Sequence, residues 1–207
     1  MFCLKFPTLI TSFDLVNNKS HTFDSYKSKK KESKNFQIKG AGRATSAAPT
    51  YFPSAKIKNK LGEEFELVDG GIYANNPTLL AIKRAQALYP DAKEYVVYSF
   101  GTGQATKNSL SALGNKGLLK WGVNIANVLM DNAVEYTDKL IKAEIKKDPR
   151  IKYVRIQPHI QDSEKEMDNV DPDNIENLLK TAETTIEQEK TTLDTMIEDF
   201  YKNFEKK

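Results

Sequence analysis

The chain has 207 residues, 39% of them hydrophobic and 29% charged, with 31 basic residues against 28 acidic for a net charge of +3. That length suits one domain, and that charge balance gives no electrostatic case for a nucleic-acid partner. A single cysteine, Cys3, excludes an internal disulfide, and no apolar run reaches the ~18 residues that a membrane span requires.

The opening stretch MFCLKFPTLITSFDL lacks a long apolar core followed by a small-residue cleavage site, so it does not read as a signal peptide. A cytoplasmic location is the default expectation, with secretion left open. Residues 7–14, PTLITSFD, predict a strand closed by Asp14, and His21–Tyr26 predict a second short strand. Lys27–Lys34, KSKKKESK, is polar and without periodicity, which predicts a surface loop. A solvated loop is the ordinary outcome for the Lys29–Lys31 cluster, and contact with anionic lipid headgroups is the functional alternative.

Residues 42–52, GRATSAAPTYF, suit a short helix packed closely on a sheet and limited by Pro49 and Pro53. Residues 54–60 and 63–69 alternate about Lys60–Leu61–Gly62 and predict a hairpin. Asn76 predicts a helix cap with Pro77 at the first helical position, the helix ending near Tyr89 before Pro90. Residues 94–100, EYVVYSF, read as a strand covered on both faces and ended by Gly101–Thr102–Gly103. A long helix over about 116–147, a strand over 151–156 and a C-terminal helix over about 172–203, capped by Asp171 with Pro172 at its start, complete the order. The apolar face of Gly117–Met130, which includes Trp121, packs inward by default, with a membrane surface as the alternative. Strands separated by helices predict an α/β layered domain, its sheet covered by helices.

The chemistry concentrates at Asp69. Leu67 and Val68 anchor its backbone in a strand, and Gly70 and Gly71 follow at once. Glycine there permits a turn that leaves the carboxylate projecting from the strand end, where it can accept a proton from a serine hydroxyl. Asp-Gly is also a common turn dipeptide, so V-D-G-G alone leaves both readings open. No G-x-S-x-G occurs in the chain. Ser46 and Ser99 lack the flanking glycines of an elbow and read as a small packing residue and a sheet residue. Gly101–Thr102–Gly103 reads as a plain strand-to-loop turn rather than an anion site. His21 and His159 lie far apart, with no C-x-x-C or H-E-x-x-H to suggest a metal, and no cofactor is implied.

The run RATSAAPTYFP, a hairpin, VDGGIYANNP, an amphipathic helix ending LYP and a strand ending SFGTG resemble, in that order, the patatin-like phospholipase family. LITSFDLVNNKSHTFDSY, WGVNIANVLMDNAVEYTDKL, YVRIQP and MDNVDPDNIENLLKTAETTI extend the resemblance over nearly the whole chain. It corresponds to roughly the C-terminal half of a patatin domain. The resemblance implies ester hydrolysis of lipids by a Ser–Asp dyad, with the serine in a G-x-S-x-G elbow and a glycine-rich loop stabilising the oxyanion. Carried over by position, only Asp69 with Gly70 and Gly71 is present. The expectation is therefore a domain incomplete on its N-terminal side, inactive and aggregation-prone alone, acting on a lipid or membrane surface, its N-terminal half lying in frame upstream of a mis-called start or encoded separately. The alternative is a non-catalytic remnant that binds lipid or a partner.

Overall fold

The computed structural model describes residues 1, 3–105, 118–160 and 168–204, apart from the side chains of 105, 118–132 and 203–204. Its mixed α/β chain forms two units, Met1–Asp91 with Gly117–Lys147, and Ala92–Lys116 with Asp148–Lys207.

In the first unit, β1 (Leu9–Asp14) and β2 (Lys19–Asp24) form the first hairpin, and β3 (Ala55–Lys58) and β4 (Glu64–Asp69) the second. All pairings are antiparallel, in the order β2-β1-β4-β3. The first hairpin turns on Asp14. Its carboxylate accepts from the backbone N–H of Val16 and of Asn17 at 3.0 Å each, and from Asn17 Nδ2 at 2.8 Å. Asn18 then takes φ 47°, a left-handed conformation that asparagine tolerates better than most residues.

The predicted strand at His21–Tyr26 ends early, at Asp24, and the predicted lysine loop is helical. Helix α1 (Ser25–Lys30) follows β2 directly, with a 3-10 turn at Glu32–Lys34 behind it. Asp24 is the reason. Its carboxylate accepts from the N–H groups of Tyr26 and Lys27, capping the helix. The inward face of α1 is made of Ser25 and Ser28 rather than of apolar residues, so no hydrophobic period marks it.

The alanine-rich helix also shifts. α2 runs Ile38–Thr45, not 42–52. Gly40 and Gly42 are weak helix formers and hide its true start. Pro49 disfavours helical geometry at Ala48 and so stops the chain early. Ala41, Ala44 and Ala47 are fully buried and bring this segment close to the sheet, in one core with Met1, Phe23, Phe36, Ala55 and Leu67.

Beyond the sheet come α3 (Gly71–Ala74), which the sequence reading did not anticipate, α4 (Thr78–Leu88) and α5 (Leu118–Lys147). α4 starts one residue later than expected, with Pro77 as the residue before it rather than its first, and Asn76 Oδ1 accepts from Thr78 N–H at 3.1 Å. Ile82 of α4 and Ile141 of α5 are buried. Lys83 and Gln86 of α4 both reach Glu144 of α5. The side chain of Trp121, with the rest of the Gly117–Met130 face, lies outside the described residues.

In the second unit, β5 (Tyr95–Phe100) pairs in parallel with β7 (Ile151–Ile156), and β6 (Gln104–Ala105) with β8 (His159–Ile160). Val96 and Phe100, which share one face of β5, are 38% and 64% exposed while Tyr95 and Ser99 are buried, against the expectation of a strand covered on both faces. The C-terminal helix is two, α6 (Pro172–Gln188) and α7 (Lys190–Phe204). Asp171 caps α6 as expected, accepting from Asp173 N–H. The break falls at Glu189, just after Thr185, whose hydroxyl donates back to the Thr181 carbonyl at 2.8 Å. Such back-bonding bends helices without changing the apolar spacing, so the interruption leaves no trace in the periodicity.

Candidate active site

Asp69 is the last residue of β4. Its backbone N–H donates to the Ala47 carbonyl at 3.0 Å, which ties the strand end to the segment after α2. The side chain is half-buried. Oδ1 accepts from Gly71 N–H at 2.8 Å, and no basic side chain pairs with the carboxylate among the described residues. The arrangement is an Asx turn leading into α3. It fixes one carboxylate oxygen through the backbone and leaves the group without an ion pair, which suits a proton acceptor.

Gly70 has a different role from the one the sequence suggested. Its φ of −73° is open to any residue, so conformational freedom is not what glycine supplies there. A Cβ at Gly70 would lie 2.4 Å from Thr11 Oγ1 and 2.5 Å from the Thr11 carbonyl carbon. Glycine is required because the turn after Asp69 packs against the backbone of β1. Gly71 is buried as the first residue of α3.

The serines divide by position. Ser46 is exposed at the end of α2, its hydroxyl 3.4 Å from the Arg43 carbonyl, so it is not the small packing residue expected. Ser99 is buried in β5, where it accepts from Arg155 Nη1 at 2.7 Å, as a sheet residue should. Ser12, which the sequence reading passed over, is the serine that the β1–β4 register places opposite Asp69. It is 0% exposed and its hydroxyl donates to the Val68 carbonyl at 2.7 Å. A serine so enclosed cannot meet a substrate. A strand alternation count from Asp14 would have placed it inward.

Elsewhere, Gly103 takes φ +129° and lies against Ile160, so the Gly101–Thr102–Gly103 turn has a backbone reason for its second glycine. His159 is exposed in β8. His21 is enclosed by the rings of Phe23, Phe36 and Phe65, whose centroids lie 4.6–5.5 Å away. Burial, reinforced by Lys34 and Lys19 against a weaker opposing pull from Asp14, lowers its pKa to about 4. Among the described residues no group of three His, Cys, Asp or Glu side chains could hold a metal ion, and no helix is long and apolar enough to cross a membrane.

The fold is mixed α/β, with a carboxylate held at a strand end just before two glycines. Residues 2–82 match the family described as Patatin-like phospholipase. Patatin-like protein 2 of Oryza sativa subsp. indica is 33% identical over 134 residues, covering 56% of this chain and 32% of the relative. Phospholipase A I of Arabidopsis thaliana is 33% identical over 138 residues, covering 66% of this chain and 10% of the relative. Patatin-like protein 4 of Arabidopsis thaliana is 28% identical over 206 residues, covering 86% and 51%. These similarities support a place for the chain in the patatin-like phospholipase family. The chain spans about a third of the length of the first of these relatives, at 32%.

Proposed function

We propose that the chain is the aspartate-bearing part of a lipid acyl hydrolase, and that Asp69 is the general base of a Ser–Asp dyad whose serine comes from polypeptide outside these 207 residues. The observation that carries this reading is the state of Asp69. It is half-buried at a strand end, anchored by one backbone N–H and unpaired with any cation among the described residues. The absence of G-x-S-x-G in the sequence and the enclosure of Ser12 support the external origin of the nucleophile.

In the reaction so assigned, the serine hydroxyl attacks the ester carbonyl while Asp69 takes its proton. Asp69 returns that proton to the leaving alcohol, and an acyl-serine remains. Water then attacks the acyl-serine, Asp69 again accepting and returning a proton, and the fatty acid leaves. The substrate is a lipid at a membrane surface, no nucleic acid takes part, and the second polypeptide is an N-terminal half encoded upstream or separately.

The test is co-expression of the 207-residue chain with a segment that carries G-x-S-x-G and a glycine-rich loop, sought first in the DNA just upstream of Met1. The pair should hydrolyse a fluorogenic phospholipid, and Asp69→Asn in the pair should abolish turnover. The chain alone should give negligible hydrolysis, since losing a nucleophile costs many orders of magnitude. Turnover by the chain alone that Asp69→Asn removes would overturn the external nucleophile. A folded pair with no activity would leave the non-catalytic remnant as the better reading.

A further inference from the structure

β2 and β4 both run antiparallel to β1, so they finish at the same end of the sheet, where β1 begins. Asp24 closes β2 opposite Leu9, and Asp69 closes β4 opposite Ser12. Three residues along the strands and two strand spacings across put Asp69 about 10 Å along and about 10 Å aside from Asp24. Helix α1 starts from Asp24, and Phe6 and Lys5 precede β1 at that same end. Ser25 of α1 is tied to this segment, its hydroxyl accepting from Thr8 N–H at 2.8 Å and lying 3.4 Å from the Phe6 carbonyl.

The surface there is basic and aromatic. α1 buries Ser25 and Ser28 and exposes Tyr26, Lys27, Lys29 and Lys30, and the chain then runs through Lys31 and Lys34 towards the β3–β4 turn, where Glu32 meets Lys60. Phe6 is 61% exposed beside Lys5, whose ammonium lies 5.4 Å from its ring centroid, and Lys30 stands 4.6 Å over the Tyr26 ring. The acids that could neutralise these lysines are engaged. Asp24 is buried against Arg84, and Glu32 pairs with Lys60. Among the described residues Lys27, Lys29, Lys31 and Lys34 make no ion pair.

We propose that Lys5, Phe6 and the outer face of α1 form a docking surface for an anionic lipid bilayer, set at the end of the sheet where Asp69 is presented. Ammonium groups meet anionic headgroups, and an exposed ring beside them inserts at the headgroup boundary. A net charge of only +3 gives no electrostatic case for a polynucleotide, which favours the bilayer over nucleic acid. The proposal takes its motive from the lipid-hydrolase reading. Adsorption needs no turnover, so the two fail separately.

The test is co-sedimentation of the full 207-residue chain with vesicles of phosphatidylcholine alone or mixed with phosphatidylglycerol. Binding should require the anionic lipid. The variant Lys27→Gln, Lys29→Gln, Lys30→Gln, Lys31→Gln should bind at least tenfold more weakly, each lysine near an anionic surface contributing roughly fivefold. Phe6→Ser should weaken binding a few-fold more. A control with the same charge change elsewhere, Lys152→Gln, Lys180→Gln, Lys190→Gln, Lys202→Gln, should bind like the parent. Acetylation mass spectrometry supplies a readout on the unmodified chain, where anionic vesicles should protect the α1 lysines over the control set. Equal loss in both quadruple variants, equal binding to neutral vesicles, absence of selective protection, or preference for an oligonucleotide over vesicles would each overturn the proposal.

Discussion

Ser12 stands directly across the β1–β4 ladder from Asp69, yet its hydroxyl is turned to the Val68 carbonyl and the residue is fully enclosed. Adjacency in register places an alcohol and a carboxylate side by side on two strands without making them a dyad. Ser12→Ala should therefore leave hydrolysis by the reconstituted pair intact. It should cost about 1 kcal/mol of stability, the usual net value of one buried hydrogen bond. Urea denaturation and the phospholipid assay on the same preparation check both halves, and loss of turnover in a stably folded variant would make Ser12 catalytic after all.

Gly70→Ala should destabilise the first unit by about 1–3 kcal/mol, the range for overpacking. Truncating Thr11 to glycine should not rescue it. The new methyl would meet the Thr11 carbonyl carbon at 2.5 Å as well as the side chain. A double variant that recovers the parent melting temperature would show that the β1 backbone yields, contrary to this account.

The pH response has two windows with the same sign. His21 has its pKa lowered to about 4 by burial and the nearby lysines. Below about 6.5 the unfolded chain therefore takes up a proton that the folded chain refuses, and stability falls as pH drops from 6.5 towards 4. Asp14 follows at lower pH. Burial by itself would raise its pKa, but the hydrogen bonds from Asn17 and Val16, with the nearby Lys19 charge, outweigh that and hold it below the ordinary carboxylate value. Its contribution is complete above the unfolded value and is lost as pH falls through the folded one. The melting temperature should drop by several degrees between pH 7 and pH 4.5, and His21→Phe should flatten that drop. A variant with the parent's pH profile would place the proton elsewhere.

Asp24 and Arg84 form a largely enclosed pair at 2.8 Å, with side chains 6% and 21% exposed. Arg84→Met should cost about 2 kcal/mol. That is less than the 3–5 kcal/mol typical of a broken buried pair, because Asp24 keeps two backbone donors as the cap of α1. Thermal denaturation of the chain measures it, and an unchanged midpoint would mean the pair is solvated.

In α6, Ile175, Leu179 and Ile186 are 45%, 60% and 58% exposed and fall on one side of the helix. Leu179→Lys with Ile186→Lys should reduce self-association of the isolated chain in light scattering and leave its helical circular dichroism unchanged. Scattering that does not change would acquit this face.

The elements that the sequence foretold best are those whose signal is local. Alternation over 54–69 gave the second hairpin, Pro77 with Asn76 gave the start of α4 to within one residue, and Asp171–Pro172 gave the start of α6. Those it misplaced depend on partners distant in sequence. α1 has no apolar face because two serines pack inward, one of them bonded to Thr8. α2 is held through Ala41 and Ala44, fully buried in a core shared with strands that lie far along the chain, and this outweighs the poor helix propensity of Gly40 and Gly42.

The same division holds at the site. The sequence alone determined that an acid sits at a strand end before two glycines, since strand period and residue identity are properties of the chain itself. Only the tertiary structure decided why Gly70 must be glycine, which serine faces Asp69, and that α1 starts from the end of the sheet where the acid lies. Those are consequences of strand order and register, which bring residues 11, 24 and 69 together through pairings that no local propensity encodes.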